Sequence, residues 1–193
     1  MSFDTTDINK SRQNLNDYDE IWLFAYGSLI YKVDFPFLEK QVASINGWQR
    51  RFWQGSHDHR GTAQRPGRVA TLIEDKTSQC IGMAFKVSHE VFEHLDHREK
   101  NGYLRHEEAL QLASGEKKQG LLYIADEHNQ AYLGPKSELD IAKQIHNCEG
   151  PSGKNADYVF ELAQSLRNLN TIDDHVFSIE RHLIQLAKVD KPL

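Results

Sequence analysis

Cysteine is scarce in this chain. Only Cys80 and Cys148 occur, in no CxxC pair, which excludes a disulfide framework and a thiolate metal knuckle. Long apolar runs are missing too, and no stretch reaches the roughly 20 residues that a membrane helix needs. The first residues, MSFDTTDINKSRQNLNDYDE, are polar and acidic and contain no apolar central region, so they do not read as a secretory signal. Positive charge is not in excess: 23 Lys and Arg stand against 28 Asp and Glu, a formal net charge of −5. That speaks against wholesale binding to nucleic acid or to a membrane surface. Repeats, low-complexity tracts and a convincing interdomain linker are also lacking. What remains is an ordinary soluble composition over a length that can bury a core. A reducing compartment suits it. We therefore expect a cytoplasmic protein with a flexible N-terminal tail over residues 1–18 and one folded domain over 19–193.

The pattern of apolar residues gives a coarse map. Ile21-Trp22-Leu23-Phe24-Ala25 is too short for a typical helix and too apolar for a loop, so it reads as a buried strand. Asn46-Gly47 is a turn signal, and Pro36 argues against a continuous helix before it. RVATLIED and SQCIGMAFKV read as two strands joined by a polar turn, the second with strict alternation. SHEVFEHLDHREKNG reads as a helix with Ser88 as N-cap and Gly102 as stop. A hairpin around SGEKKQG follows, then two helices, SELDIAKQIHNCEG and NADYVFELAQSLRNL, separated by the loop GPSGKN. HVFSIERHLIQLAK fits a helix or a strand–helix piece. Strands packed with a few helices in one domain give an α+β fold, with the sheet able to curl into a small barrel.

Three stretches carry residues suited to chemistry. In YGSL, a strand breaks at Gly27, where a missing Cβ permits a sharp turn. Such a break is either a plain β-turn or a cradle of N–H groups for an anion or oxyanion. On the helix after Ser88, the spacing i, i+4, i+8 puts Glu99 on the same face as Val91 and Leu95. A carboxylate at the end of an apolar stripe is costly to bury. It is either ion-paired, with Arg98 or Lys100 at hand, or raised in pKa so that it takes and returns a proton near neutrality. The run WQRRFWQGSHDHRGTAQRPGR (48–68) holds five arginines against one acid, Asp58. It suits single-stranded nucleic acid, a carboxylate-bearing small substrate, or a loop pinned by its own arginines, and the overall acidity favours the last two.

A metal is not expected. HEVFEH resembles a zinc motif, but its histidines are five apart and fall about 140° from each other around a helix. His57 with His59, and His94 with His97, gain no thiolate partner. Cys148 lies two residues from His146, but a free cysteine there reads as a small packing residue. The Gly-Lys-[Ser/Thr] of a P-loop is absent.

Taken in order, FAYGSLIYK, RRFWQGSHDHRGTAQRPGRVATL, LDHREKNGY, GPSGKNADYVFELAQSL and DDHVFSIE resemble the ChaC-like γ-glutamylcyclotransferases, over residues 20 to 180. The resemblance implies a small mixed β-barrel with flanking helices and a site at one mouth. It implies a lyase that takes reduced glutathione and needs no cofactor. The γ-glutamyl α-amine attacks its own γ-carbonyl, 5-oxoproline forms, and Cys-Gly leaves. Glu99 matches the family's catalytic glutamate, acting as base and then acid. Tyr26, Gly27, Ser28 and Leu29 match the loop that holds the γ-glutamyl group through N–H groups. Tyr103 and Tyr158 match site tyrosines. Arg50, Arg51 and Arg68 are candidates for the glycine carboxylate by charge. Other readings are a cyclotransferase acting on other γ-glutamyl amino acids or amines, a non-catalytic binding protein reusing the fold, and an RNA-binding module. The oligomeric state is not legible.

Overall fold

β1 spans Ile21–Ala25, and all five of its residues are buried. It lies antiparallel to the end of β3 (Gly67–Val87), with Ile21 opposite Val87 and Ala25 opposite Met83. On its other side it runs parallel to β5 (Lys117–Ile124), through Trp22 opposite Gly120 and Leu23 opposite Leu121. β4 (Leu104–Leu112) forms a hairpin with β5, in register from Leu104–Ile124 to Gln111–Lys117. β2 (Glu39–Ser56) joins β4 at Ala43–Leu112 and Ser44–Gln111, which closes a five-stranded barrel in the order β1-β3-β2-β4-β5. This structure is a computed structural model and describes residues 4–189.

The chain divides into two compact units, and β2 and β3 each run from one into the other. The first comprises residues up to Gln49 and Leu72–Gln130. It holds β1, the β4–β5 hairpin, α1 (Thr6–Arg12) and α2 (Val91–Arg98). Its core gathers Leu23, Phe85, Val91, Phe92, Leu95 and Leu121. Val91, Phe92 and Leu95 recur at helical spacing, so α2 buries one face here, which stabilises by about 1.5–3 kcal/mol for each large side chain.

The second unit comprises Arg50–Thr71 and residues from Ala131 onward. α3 (Glu138–His146) and α4 (Asn155–Asn168) both pack on α5 (Asp174–Val189). Ser137 caps α3 by accepting the Asp140 N–H at 3.2 Å. Between α3 and α4, a two-residue hairpin pairs Glu149–Gly150 with Gly153–Lys154. The loop at 57–66 is drawn tight by glycines. A Cβ on Gly61 would lie 2.1 Å from the Gly67 nitrogen, and one on Gly67 would lie 2.5 Å from the Arg60 carbonyl.

His175 of α5 is buried in this unit. Its Nε2 accepts the Phe52 N–H at 3.0 Å, so Nδ1 carries the proton and faces Glu138 Oε1 at 3.1 Å. Burial pushes the imidazole pKa below its ordinary 6.5, outweighing the attraction of Glu138. The unfolded chain therefore binds a proton more readily than the folded one. This contribution to stability is complete above about pH 6.5 and is lost as pH falls through the lowered folded value. The urea midpoint is expected to drop between pH 7 and 5, and the drop becomes shallower in His175→Gln. Equal slopes for the two proteins would contradict it.

Several local expectations are corrected. Asn46-Gly47 does not turn the chain: β2 continues through it, with Gly47 at φ 84° and open space where a Cβ would sit. The polar residues near Asp75 do not separate two strands. Asp75 takes the Thr77 N–H and the Thr77 and Ser78 hydroxyls onto its own carboxylate, and β3 stays extended for 21 residues. The loose tail expected over 1–18 lies in part, at residues 1–3, outside the described residues; beyond them residues 6–12 form α1, with Thr5 and Asn9 fully buried beside it and within it. The map was right about the α+β class, the barrel with flanking helices, the hairpin and the existence of the helices. But α2 is shorter than expected: Ser88 does not cap it, its hydroxyl bonding the Glu90 carboxylate, and it ends at Glu99 and not at Gly102. The open choice at the C-terminal stretch resolves as one helix, α5.

Candidate active site

Glu99 terminates α2. Its N–H still bonds the Leu95 carbonyl at 2.8 Å, but its own φ of −95° and ψ of 12° leave the helix. The helical spacing that sends Val91 and Leu95 into the core carries Glu99 to the rim of that core, with its side chain 16% exposed. Arg98 Nε lies 3.4 Å from Glu99 Oε1. The same guanidinium bonds the Ser28 hydroxyl at 3.1 Å, the Lys32 carbonyl at 3.1 Å and the Asp34 carboxylate. One arginine thus ties the carboxylate to the loop that follows β1.

That loop is a single 3-10 turn, Ser28–Ile30, entered through Gly27. Its ladder begins with the Ile30 N–H on the Gly27 carbonyl at 3.1 Å, so the N–H groups of Gly27, Ser28 and Leu29 lie ahead of the turn's own bonds. Leu29 is buried and anchors the turn in the core. Tyr26 is 6% exposed and donates its hydroxyl to the Tyr123 carbonyl at 2.6 Å. It pins the loop from below.

Beneath this lies a buried polar network. The Tyr123 hydroxyl donates to Asp96 Oδ1 at 2.6 Å, and Asp96 Oδ2 is 3.6 Å from Arg105 Nη1. Burial raises the pKa of Asp96, against the pull of Tyr123 and Arg105. Burial also raises Tyr123 well above its ordinary value, followed by the charge of Asp96, with a smaller share from Glu99. Asp96 escaped the sequence reading. Asp96 had left a signal, since it follows the buried Phe92 by four residues and so shares its face. Arg98 was legible only as an ion-pair candidate for Glu99, which its 3.4 Å approach matches; its ties to the loop after β1 were not. Tyr103 is half-buried against the same core. Glu99, Tyr26 to Leu29 and Tyr103 therefore all belong to the first unit.

Arg50, Arg51, Arg68 and Tyr158 belong to the second unit. Arg68 is 1% exposed. It donates from Nε to Gln144 Oε1 at 2.7 Å and from Nη1 to the Phe52 and Gly134 carbonyls, each at 2.9 Å. Its backbone N–H bonds Asn155 Oδ1 at 2.7 Å. Arg50 is 4% exposed and pairs with Asp173 Oδ2 at 2.5 Å. Both are almost fully buried and bonded to the chain itself, which supports a structural role over contact with a substrate. The rest of the arginine run bonds the chain in the same way: Arg51 to the Arg50 carbonyl at 2.8 Å, Arg60 to that of Lys154 at 3.0 Å, and Arg65 to that of Asn147 at 3.1 Å. Of the three readings of this run, the pinned loop has the most support. Tyr158 is 6% exposed, stacks edge-on against Phe52 and accepts the Ala70 N–H at 3.3 Å.

Among the described residues, no group of three or more His, Cys, Asp or Glu is placed to hold a metal ion. His94 faces Asp34 at 3.4 Å, and His59 faces Ser152. The Cys148 thiol is buried and points at the Pro66 carbonyl at 3.4 Å, and burial raises its pKa, which suits packing and not nucleophilic attack. No helix among the described residues is long and apolar enough to cross a membrane.

The ChaC-like protein family model matches residues 21–186, nearly the whole chain. The chain belongs to the ChaC-like family. Among its ChaC-like relatives, the zebrafish protein named glutathione-specific γ-glutamylcyclotransferase 1 is 41% identical over 174 residues, covering 85% of this chain and 89% of the relative. The human protein of the same name is 37% identical, covering 86% and 80%. The Saccharomyces cerevisiae glutathione-specific γ-glutamylcyclotransferase is 35% identical, covering 90% and 97%. A crystal structure of a yeast γ-glutamyl cyclotransferase specific to glutathione matches with a TM-score of 0.80 at 30% identity, covering 87% of this chain and 97% of that one. A further γ-glutamyl cyclotransferase structure, at TM-score 0.55 and 15% identity, shares the fold.

Proposed function

We propose that this ChaC-like chain is a glutathione-specific γ-glutamylcyclotransferase, with Glu99 as its proton carrier. The observation that carries the reading is the mostly buried Glu99 carboxylate, tied through Arg98 to the YGSL loop. The α-amine of the γ-glutamyl group is mostly protonated at neutral pH. Glu99 takes that proton. The freed nitrogen attacks the γ-carbonyl carbon, and the carbonyl electrons move onto oxygen. Glu99 gives its proton to the departing amine as the carbonyl re-forms and the C–N bond to the cysteinyl residue breaks, and the second proton of the ring nitrogen passes by the same carboxylate to that amine, which leaves as an ammonium. The products are 5-oxoproline and Cys-Gly, and Glu99 ends as it began.

Ring closure within one molecule needs no protein nucleophile, only the folded-back conformer of the substrate. In this reading the N–H groups of Gly27, Ser28 and Leu29 hold the γ-glutamyl carboxylate or the developing oxyanion. Tyr26 keeps them in place through its bond to Tyr123, and Tyr103 enters through the family resemblance. Tyr158 enters only through the family resemblance, and Arg51 only by its charge. A reduced thiol substrate and two buried cysteines that form no disulfide fit a cytoplasmic setting.

The experiment is to incubate the purified protein with reduced glutathione in EDTA and quantify both products. Equimolar 5-oxoproline and Cys-Gly are expected, with γ-glutamyl-alanine turned over less well. Preference for the dipeptide would move the substrate to other γ-glutamyl amino acids. No product from any γ-glutamyl compound would leave a binding protein.

A further inference from the structure

The N-terminal segment grips the stretch of chain that carries Glu99. Thr5 and Asn9 are both 0% exposed. Their side-chain hydrogen bonds go to residues 100–105. The Thr5 N–H donates to the Lys100 carbonyl at 2.8 Å, and the Thr5 hydroxyl lies 2.9 Å from that oxygen and 2.8 Å from the Tyr103 carbonyl. Its single proton is shared between the two. Asn9 donates from Nδ2 to the Tyr103 carbonyl at 3.0 Å and accepts the Arg105 N–H on Oδ1 at 2.8 Å. One side-chain amide thus serves a strand edge as a neighbouring backbone would, at the end of β4 opposite the one that β2 joins. The clamp is extended by Arg12 Nε on the Arg105 carbonyl at 2.6 Å, by Arg105 bonded to the Asn9 carbonyl, and by a bridge from Asp4 to Asn101.

The gripped stretch has no regular structure of its own. It leaves α2 at Glu99 and passes Gly102 at φ 86°, a conformation few other residues adopt, before entering β4. Glu99 is held on its N-terminal side by the last turn of α2. On its C-terminal side the nearest fixed point is the Lys100 carbonyl, and Thr5 holds that point through two donors.

We propose that Thr5 and Asn9 are positioning residues for ring closure: they fix the Glu99–Tyr103 stretch so that the Glu99 carboxylate meets the substrate α-amine. This rests on the reading of Glu99 as proton carrier. Misplacing a reacting group by about 1 Å costs about 100-fold in rate. Thr5→Val keeps the shape and the N–H but removes the hydroxyl, and Asn9→Asp turns a donor into an acceptor facing a carbonyl.

The test measures kcat and KM for reduced glutathione in wild type, Thr5→Val, Thr5→Ser, Asn9→Asp and Glu99→Gln. The assay runs at 15 °C, with the folded fraction of each read by circular dichroism. Thr5→Val and Asn9→Asp are expected to lose about 10- to 100-fold in kcat per folded molecule with KM within about 2-fold, and Thr5→Ser to restore kcat. A folded Thr5→Val with wild-type kcat, beside an inactive Glu99→Gln, overturns the positioning role alone. Wild-type activity in Glu99→Gln overturns the proton-carrier reading and the positioning role with it. If Asn9→Asp does not fold, Thr5→Val against Thr5→Ser still decides.

Discussion

Glu99→Gln is expected to turn over reduced glutathione about 10²- to 10⁴-fold more slowly than wild type, the range for loss of a positioned general acid–base group. The substitution is chosen for what it leaves alone. Glutamine keeps the length of the side chain, and its carbonyl oxygen still accepts from Arg98 Nε, now 3.4 Å away. The helix end is set by the backbone bond to Leu95, which does not change. The urea midpoint should therefore stay close to wild type, and the loss should fall on kcat. What disappears is the ability to accept and return a proton. The residual rate should rise with pH toward about 8, because only then does the substrate supply its own free amine. A variant that keeps full activity would make Glu99 a structural partner of Arg98. The membership in the ChaC-like family would stand, and the site reading would not.

Much of this was legible because a few residues carry strong local physics. Ile21–Ala25 could only be a buried strand, and Val91, Leu95 and Glu99 could only share a helix face, so the approach of a carboxylate to the core was readable. The barrel's closure was not, because strand pairing is non-local and the turn signal at Asn46-Gly47 pointed the other way. Asp75 misled for a different reason: its local hydrogen bonds look like a turn in sequence but sit on an extended backbone. The N-terminal segment looked loose because it is polar. Thr5 and Asn9 are buried by hydrogen bonds to a stretch more than 90 residues away, which no periodicity reports. Charge misled at the arginines, since a guanidinium that binds substrate and one that binds three buried acceptors read alike in sequence.

Arg68 makes that last distinction measurable. Arg68→Met is expected to destabilise the protein by about 3–5 kcal/mol, because each buried acceptor left unpaired costs about 1–3 kcal/mol. Three acceptors are at stake: the Phe52 and Gly134 carbonyls and Gln144 Oε1. They belong to β2, to the loop before α3 and to α3 itself, so the loss is spread over three elements of the second unit. Against a total stability of about 5–15 kcal/mol, such a change brings the protein near its unfolding threshold at 25 °C. Arg68→Lys should recover little of it, since one ammonium on a flexible stem does not reproduce a planar fork reaching three oxygens. If Arg68 instead held a substrate carboxylate, the lysine variant would keep its urea midpoint and raise KM. A shifted midpoint with unchanged KM per folded molecule is the result we expect, and the reverse pattern would return Arg68 to the substrate site.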